Sequence, residues 1–424
     1  MPKLLDKANY LDKHDPLQAY RKQFHIPLDE KGSPKIYFCG NSLGLQPKEA
    51  TLYLDEALHK WKTQAVEGHF NEPAPWLSYH KQLKASLAHI TGSLTEEVVS
   101  MNNLSSNLHL MMVSFYRPSP QRYKIMLEAG AFPSDQYAVE SQVRYHGYTP
   151  EDAIIEVTPN AGEETLRLDD ILQKIQEHSH ELALVLFPGV QYYSGQYLDI
   201  QKITEAAHLA GAYAGFDLAH TVGNIPLELH KWNVDFAVWC SYKYLNSGPG
   251  NNGGAFVHER YAAAKELPRF AGWWGHQEEE RFQMKKGFKP MYGVDGWQLS
   301  NVNILSTSVQ RYALEMIAEA GMHNLRQKSI SLTAFLEECI QAADPQSQHV
   351  HIITPAAPEE RGCQLSLSVP HEGKKLFERL TEAGIVTDWR EPRVIRVAPT
   401  PLYNTFREVY RFYEILNSTL YASE

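Results

Sequence analysis

Three points in the chain place chemistry-bearing residues directly behind apolar runs. In DFAVWCSYKYLNSGPG (235–250), Lys243 follows an apolar segment and sits between Tyr242 and Tyr244. In AYAGFDLAHTVGN (212–224), Asp217 closes an apolar run and His220 follows it closely. In LALVLFPGVQYYSGQ (182–196), another apolar run ends in a Pro-Gly turn. Apolar and aromatic surroundings favour a neutral amine, the form that attacks a carbonyl carbon. The Asn, Ser and Gly residues after Lys243 let the backbone approach a ligand closely. The ordinary alternative is a surface lysine whose stem lies on apolar neighbours.

An acid at the end of a buried strand is costly unless it meets a partner. Asp217 has two uses open to it. One is to cap a helix. The other is to face the pyridine nitrogen of pyridoxal phosphate, where a carboxylate keeps the ring protonated and makes it an electron sink. His220 is placed to orient that carboxylate, or to be a hydrogen-bonded core histidine. A phosphate needs donors. MNNLSSNLHLMM (101–112) puts Leu104, Ser105 and Ser106 just ahead of a helix, whose first N–H groups bind anions. An ordinary serine cap competes with that reading. In AFPSDQYAVE (131–140), Phe132 precedes a second helix start capped by Ser134 or Asp135. Phe132 suits stacking on a planar ring as well as core packing.

These residues need a scaffold that brings them together. Strand-like runs at 124–128, 153–157, 182–187, 212–216 and 235–240 alternate with helical patterns such as 134–145, 168–178 and 199–210. That alternation predicts an α/β fold, a mostly parallel central sheet with helices on both faces. Ligands in such sheets sit at the carboxyl ends of the strands, where Asp217, His220 and Lys243 converge. Helices are expected at 3–24, 48–65 and 77–91, and one long helix at 308–341. A strand is expected within IYFCGNSLGLQP (36–47) and another at RVIRVAP (393–399). The expected division is 1–60 as an N-terminal segment joining a small α+β domain, 61–305 as the large domain, and 306–424 as the small domain.

Composition excludes several classes. The net charge is −10 with no polybasic run, so no nucleic acid or anionic membrane partner is expected. Four scattered cysteines, with no C-x-x-C pair, fit a reducing, cytoplasmic setting. The polar, periodic start of the sequence does not read as a signal peptide, and no membrane-spanning segment is expected. No P-loop, G-x-G-x-x-G, H-E-x-x-H or G-x-S-x-G pattern occurs, and no metal site is expected.

GFDLAHTVGN and WCSYKYLNSGPG, so spaced, resemble kynureninase. So do NSLGLQP (41–47), AFPSD (131–135), GWWGH (272–276) and RVAPTPLYN (396–404), in a match spanning about 37–412. The resemblance implies an enzyme of the aminotransferase-like (fold type I) pyridoxal 5'-phosphate class, a homodimer of large- and small-domain subunits. It implies hydrolysis of L-kynurenine to anthranilate and L-alanine, and of 3-hydroxykynurenine to 3-hydroxyanthranilate, in tryptophan breakdown and NAD biosynthesis.

Lys243 then matches the lysine that carries the cofactor, Asp217 the pyridinium partner, and His220 its neighbour. Tyr242 matches a tyrosine that contacts the phosphate and moves protons. Leu104 and Ser105 match the phosphate loop. Phe132, Pro133, Ser134 and Asp135 match the segment against the cofactor ring. Trp273 and Asn301 match a pair contributed near the dimer interface. Ser42, His69 and Asn301 fall where the family contacts substrate, and Arg396 matches the arginine for the substrate α-carboxylate. Trp273, Trp274 and Tyr292 are candidate walls for the aryl ring, each equally suited to dimer packing, and His69 and Asn301 are candidate partners of a 3-hydroxyl. Pro188 departs from relatives that have serine there, which removes a hydroxyl contact. The rivals on the same fold are a cysteine desulfurase or an aminotransferase. Neither Cys339, in the expected long helix, nor Cys363, in a strand-like run, suits a desulfurase loop. A binding protein without activity is the rival from another class, and Lys243, Asp217 and Arg396 together argue against it.

Overall fold

The computed structural model describes residues 2–420. Strand β1 (Ile36–Tyr37) lies near the start of the chain. The central sheet is built from β2 (Val98–Ser100), β3 (Lys124–Glu128), β4 (Ile154–Val157), β5 (Leu182–Pro188), β6 (Tyr213–Asp217), β7 (Phe236–Cys240) and β8 (Gly253–Val257). Its order is β2-β8-β7-β6-β5-β3-β4. The pairs joining β7, β6, β5, β3 and β4 are parallel, and β8 runs antiparallel to both its neighbours.

Strand β5 shows why this sheet is buried on both sides. Leu184 and Leu186 pack into one apolar core, Val185 and Phe187 into another. Side chains alternate across a strand, so a continuous apolar run feeds both faces. The expected mostly parallel α/β fold is therefore present.

A second, antiparallel sheet follows, from β9 (His351–Ile352), β10 (Leu365–Ser368), β12 (Asp388–Arg390) and β13 (Val394–Val397), in the order β12-β13-β10-β9. Strand β11 (Ile385–Val386) pairs instead with β1. The core of this part includes Ala8 and Phe38 from the start of the chain with Leu336, Ile395 and Phe412. Both chain ends thus build it.

Several expected helices are broken. The long helix at 308–341 is two, Ile304–Ala320 and Met322–Ala343, parted by Gly321 at φ +78°. Only glycine adopts that backbone cheaply. The break lets Leu314 and Ile317 join the core of the large sheet while Leu332 and Leu336 join that of the small one. The helix at 3–24 ends at Lys13, and Gln18–Gln23 is a tighter 3₁₀ stretch. Between them lie Pro16 and Asp15, whose Oδ1 accepts the Leu17 N–H at 2.9 Å. The helix at 77–91 is 3₁₀ from Trp76 to Leu83 and α-helical from Lys84 to Thr91. Strands β2 and β8 were not expected. Their residues are glycine-rich or too few to show a period. No helix among the described residues is long and apolar enough to cross a membrane.

Candidate active site

A cavity of about 340 Å³ opens at the carboxyl ends of β3, β5, β6 and β7, and the small sheet closes it with Arg390 and Arg396. Ten of the expected site residues line it with Arg396: Ser42, Leu104, Ser105, Phe132, Ser134, Asp135, Asp217, His220, Tyr242 and Lys243. Asp217 is the last residue of β6 and stands in register with Pro188 of β5 and Val238 of β7. Its Oδ1 accepts the Ala219 N–H at 2.7 Å, which turns the chain sharply away from the strand. That turn brings His220 back over the strand ends.

The His220 hydrogen bond is not to Asp217, as its position suggested, but to Lys243: Nε2 and Nζ are 2.9 Å apart. Burial, then the adjacent Lys243 charge, pushes the His220 imidazole well below its usual range. It is a neutral ring whose Nε2 accepts from the amine, and its buried Nδ1 has no partner among the described residues. Lys243 Nζ also lies 5.9 Å from the centroid of the Phe132 ring. Burial first, then Cys240 beside it, pushes the Tyr242 phenol above its usual range, so the hydroxyl keeps its proton.

Two further acids crowd Asp217. Burial, then the Asp217 charge, pushes the Asp135 carboxyl well up. Burial does the same to Glu128, with a Gln191 hydrogen bond opposing and the Asp217 charge adding. Neither Ser134 nor Asp135 caps its helix. Pro133 starts that helix behind Phe132, and Ser134 Oγ donates to Asp135 Oδ1 at 3.2 Å. Pro133 itself does not line the cavity.

The helix Leu104–Phe115 points its first turn into the same space. Asn103, not a serine, caps it by accepting the Ser106 N–H at 3.1 Å. The N–H groups of Leu104 and Ser105 are left without intrahelical partners, a ready anion site. Gly253 in β8 allows this approach: a Cβ there would lie 2.6 Å from the Trp239 carbonyl oxygen and 3.2 Å from Leu104 N.

Arg396 on β13 is fully buried. Its Nη2 lies 2.7 Å from Asp388 Oδ2, its Nε donates to Asp388 Oδ1 at 3.1 Å, and its Nη1 donates to the Tyr192 carbonyl at 2.9 Å. Ser42 Oγ donates to Asp388 at 2.6 Å and accepts from Arg396 at 3.1 Å. Hydrogen bonds and charge from Arg396, with Ser42, outweigh the burial of Asp388 and hold its carboxyl below the usual range.

Besides Pro133, three expected residues lie outside this cavity within one chain. His69 stacks edge-on to Trp76 with centroids 5.3 Å apart. Trp273 is half exposed and donates to the Arg281 carbonyl at 3.2 Å. Asn301 has a buried Oδ1 without a partner. Trp274 is buried under Arg281, and Tyr292 is exposed, so neither lines the cavity of its own chain. Residues not singled out in the sequence complete the lining, Glu128, Tyr192 and Arg390 among them. Glu128 carried a readable signal, an acid closing the apolar run KIMLE, as Asp217 closes AYAGF.

All four cysteines are free and buried. Burial pushes the thiols of Cys339 and Cys363 up to about 12. Elsewhere, Glu97, His230 and His258 come close enough to share an ion. Their own bonds close that cluster: Glu97 Oε1 is 2.9 Å from His230 Nδ1 and accepts the Glu259 N–H, and His258 Nδ1 accepts the Arg260 N–H.

Solved structures share this architecture. A cysteine desulfurase from Thermococcus onnurineus superposes with a TM-score of 0.77 at 19% identity, over 96% of this chain and 98% of its own. One from Escherichia coli gives 0.77 at 15% identity, over 95% and 98%. At that identity the likeness is of fold alone. Sequence relatives are much nearer. The kynureninase of Flavobacterium psychrophilum is 54% identical over 97% of each chain. That of Myxococcus xanthus is 53% identical over 96% of each. The model of the kynureninase C-terminal domain matches residues 325–416. With identity above half along nearly the whole of both chains, this protein belongs to the kynureninase family.

Proposed function

We propose that the protein is a hydrolase that cleaves the Cβ–Cγ bond of L-kynurenine, releasing anthranilate and L-alanine, with pyridoxal 5'-phosphate as cofactor. It acts likewise on 3-hydroxy-L-kynurenine, giving 3-hydroxyanthranilate. The observation that carries this reading is the convergence of Lys243, Asp217 and Arg396 on one cavity, in a chain of this family.

The residues fit the cofactor. Leu104 and Ser105 offer free N–H groups for its phosphate, Asp217 a carboxylate for its ring nitrogen, and Lys243 an amine for its aldehyde. The unpartnered His220 Nδ1 and the crowded acids Asp135 and Glu128 suit a polar ligand between them. Bound there, pyridoxal phosphate supplies an electron sink for charge developing at the substrate Cα and Cβ. The chain does the rest. Arg396 supplies positive charge and its remaining N–H to the α-carboxylate. Lys243 Nζ takes the proton from Cα as general base, and His220 Nε2 keeps the amine aimed. Water adds to the γ-carbonyl, the Cβ–Cγ bond breaks, and Tyr242 returns a proton to Cβ.

Because the Tyr242 phenol is pushed upward, it stays a proton donor throughout the neutral range, and its own ionisation does not limit the rate there. Tyr242→Phe is expected to lower kcat about 10²-fold with the cofactor still bound. Full turnover by that variant removes Tyr242 from the proton path.

The protein acts as a homodimer in this reading. His69, Trp273 and Asn301 lie away from their own cavity and reach the partner's. The large exposed side chains Val66, Phe70, Trp273, Phe282 and Tyr292 support such an interface. We propose the division 1–60, 61–305 and 306–424; the separate core that both chain ends build supports a small domain, while Leu314 and Ile317 carry the start of 306–424 into the large-sheet core. The buried free thiols fit a cytoplasmic enzyme and leave no accessible cysteine for a desulfurase.

The test is incubation of the cofactor-loaded protein with kynurenine and, separately, 3-hydroxykynurenine. Aryl acid and alanine are expected from both in equal amounts. A yellow protein that releases neither product sinks the reading and leaves another chemistry on the same fold.

A further inference from the structure

Arg396 cannot take a substrate carboxylate on a free fork, because most of its N–H groups are already used. Asp388 takes Nε and part of Nη2, Ser42 takes more of Nη2, and the Tyr192 carbonyl takes Nη1. The Ser42 hydroxyl hydrogen is spent on Asp388 as well. A second guanidinium in the same wall is less engaged. Arg390 lines the cavity with 36% of its side chain exposed, against 1% for Arg396. Its Nε lies 2.8 Å from Asp388 Oδ1, but the N–H is not aimed there and has no acceptor. Its one aligned bond to Asp388, from Nη2, is long at 3.3 Å. Its Nη1 has no acceptor among the described residues.

The strand register explains the grouping. Asp388 pairs directly with Arg396 across β12 and β13, and Arg390 is two residues along β12. Residues i and i+2 share a face, so all three project together, while Trp389 between them turns to the opposite face and packs against the small-sheet core. Two guanidiniums against one carboxylate leave one positive charge in a partly dehydrated wall. One substrate carboxylate balances it.

We propose that Arg390 is a second carboxylate-binding residue, which contacts the substrate α-carboxylate together with Arg396 while Asp388 holds both guanidiniums in place. This rests on the function proposed above. Arg390 supplies the aligned donors that Arg396 has spent, so the carboxylate is gripped from two strands. The cation also discriminates between an amino acid and the corresponding amine.

The test compares the holoenzyme with Arg390→Gln and Arg390→Lys. Each is titrated, by the absorbance of the bound cofactor, with kynurenine and with its decarboxylated amine. For Arg390→Gln we expect KM and Kd for kynurenine to rise about 10-fold or more, with kcat changed little. Kd for the amine stays within about 2-fold, so the wild-type preference for the acid collapses. Arg390→Lys, which keeps the charge, recovers part of that preference. Equal weakening of both ligands, or none of either, overturns the proposal. If wild type itself fails to turn over kynurenine, the function falls first. L-alanine against ethylamine then reads the same carboxylate contact on the same proteins, and an unchanged ratio in Arg390→Gln overturns it.

Discussion

Lys243→Ala is expected to lower kcat for kynurenine by about 10³-fold or more and to release the cofactor on gel filtration. Both effects come from one atom. Nζ is the amine in the cavity that can bond an aldehyde, and it is held 2.9 Å from a histidine that burial and the lysine charge keep neutral. No other lysine among the described residues lines the cavity. On the roles proposed above, alanine removes the covalent tether and the base together, while the surrounding strands keep their packing. The measurement is product release beside the absorbance of protein desalted after loading. A variant that stays coloured and turns over at a tenth of the wild-type rate would falsify the assignment of both roles to Lys243.

Asp217→Asn separates the electron sink from the tether. Asparagine keeps the shape and can still accept the Ala219 N–H, but it carries no charge to hold a ring nitrogen protonated. Loss of one preorganised electrostatic group costs about 10²–10³-fold in kcat, with the cofactor still attached through Lys243. The charge of Asp217 also raises its two acidic neighbours, so its removal lets the Asp135 and Glu128 carboxyls move back down. Stopped-flow absorbance with kynurenine tells the cases apart. Slowed loss of the Cα proton with normal binding is the expected pattern. An unchanged rate with tightly bound cofactor means that another group protonates the ring.

Much of the cavity was legible in the chain because each part announces itself locally. Lys243 and Asp217 each end a run of buried residues, and an ionisable group there has to be explained by a partner. The two helix starts near 104 and 133 are also marked locally, although the structure begins them after Asn103 and Phe132 rather than at the serines and Asp135. Arg390 and Asp388 were missed because nothing in DWREPRVIRV distinguishes a surface ion pair from a ligand clamp. Their meaning depends on β13 lying beside β12 and on both closing over strands some 150–200 residues earlier in the chain. The break at Gly321 was missed for a related reason. A glycine in a periodic helix is tolerated or is a stop, and here the need to serve two cores made it a stop.

The chain alone determined the parallel α/β sheet, the amine and carboxylate at its strand ends, and the family pattern. The sheet and the strand-end groups follow from hydrophobic period and from the cost of burying charge, which act between near neighbours, and the family pattern rests on the resemblance of whole motifs. The tertiary structure decided which groups share a proton and which share a charge. It bonded His220 to Lys243 rather than to Asp217, set three carboxyls together, and bound two arginines to one aspartate. Hydrogen bonds and Coulomb forces act over a few ångströms whatever the separation in sequence, so only the packing of the two sheets could select those partners.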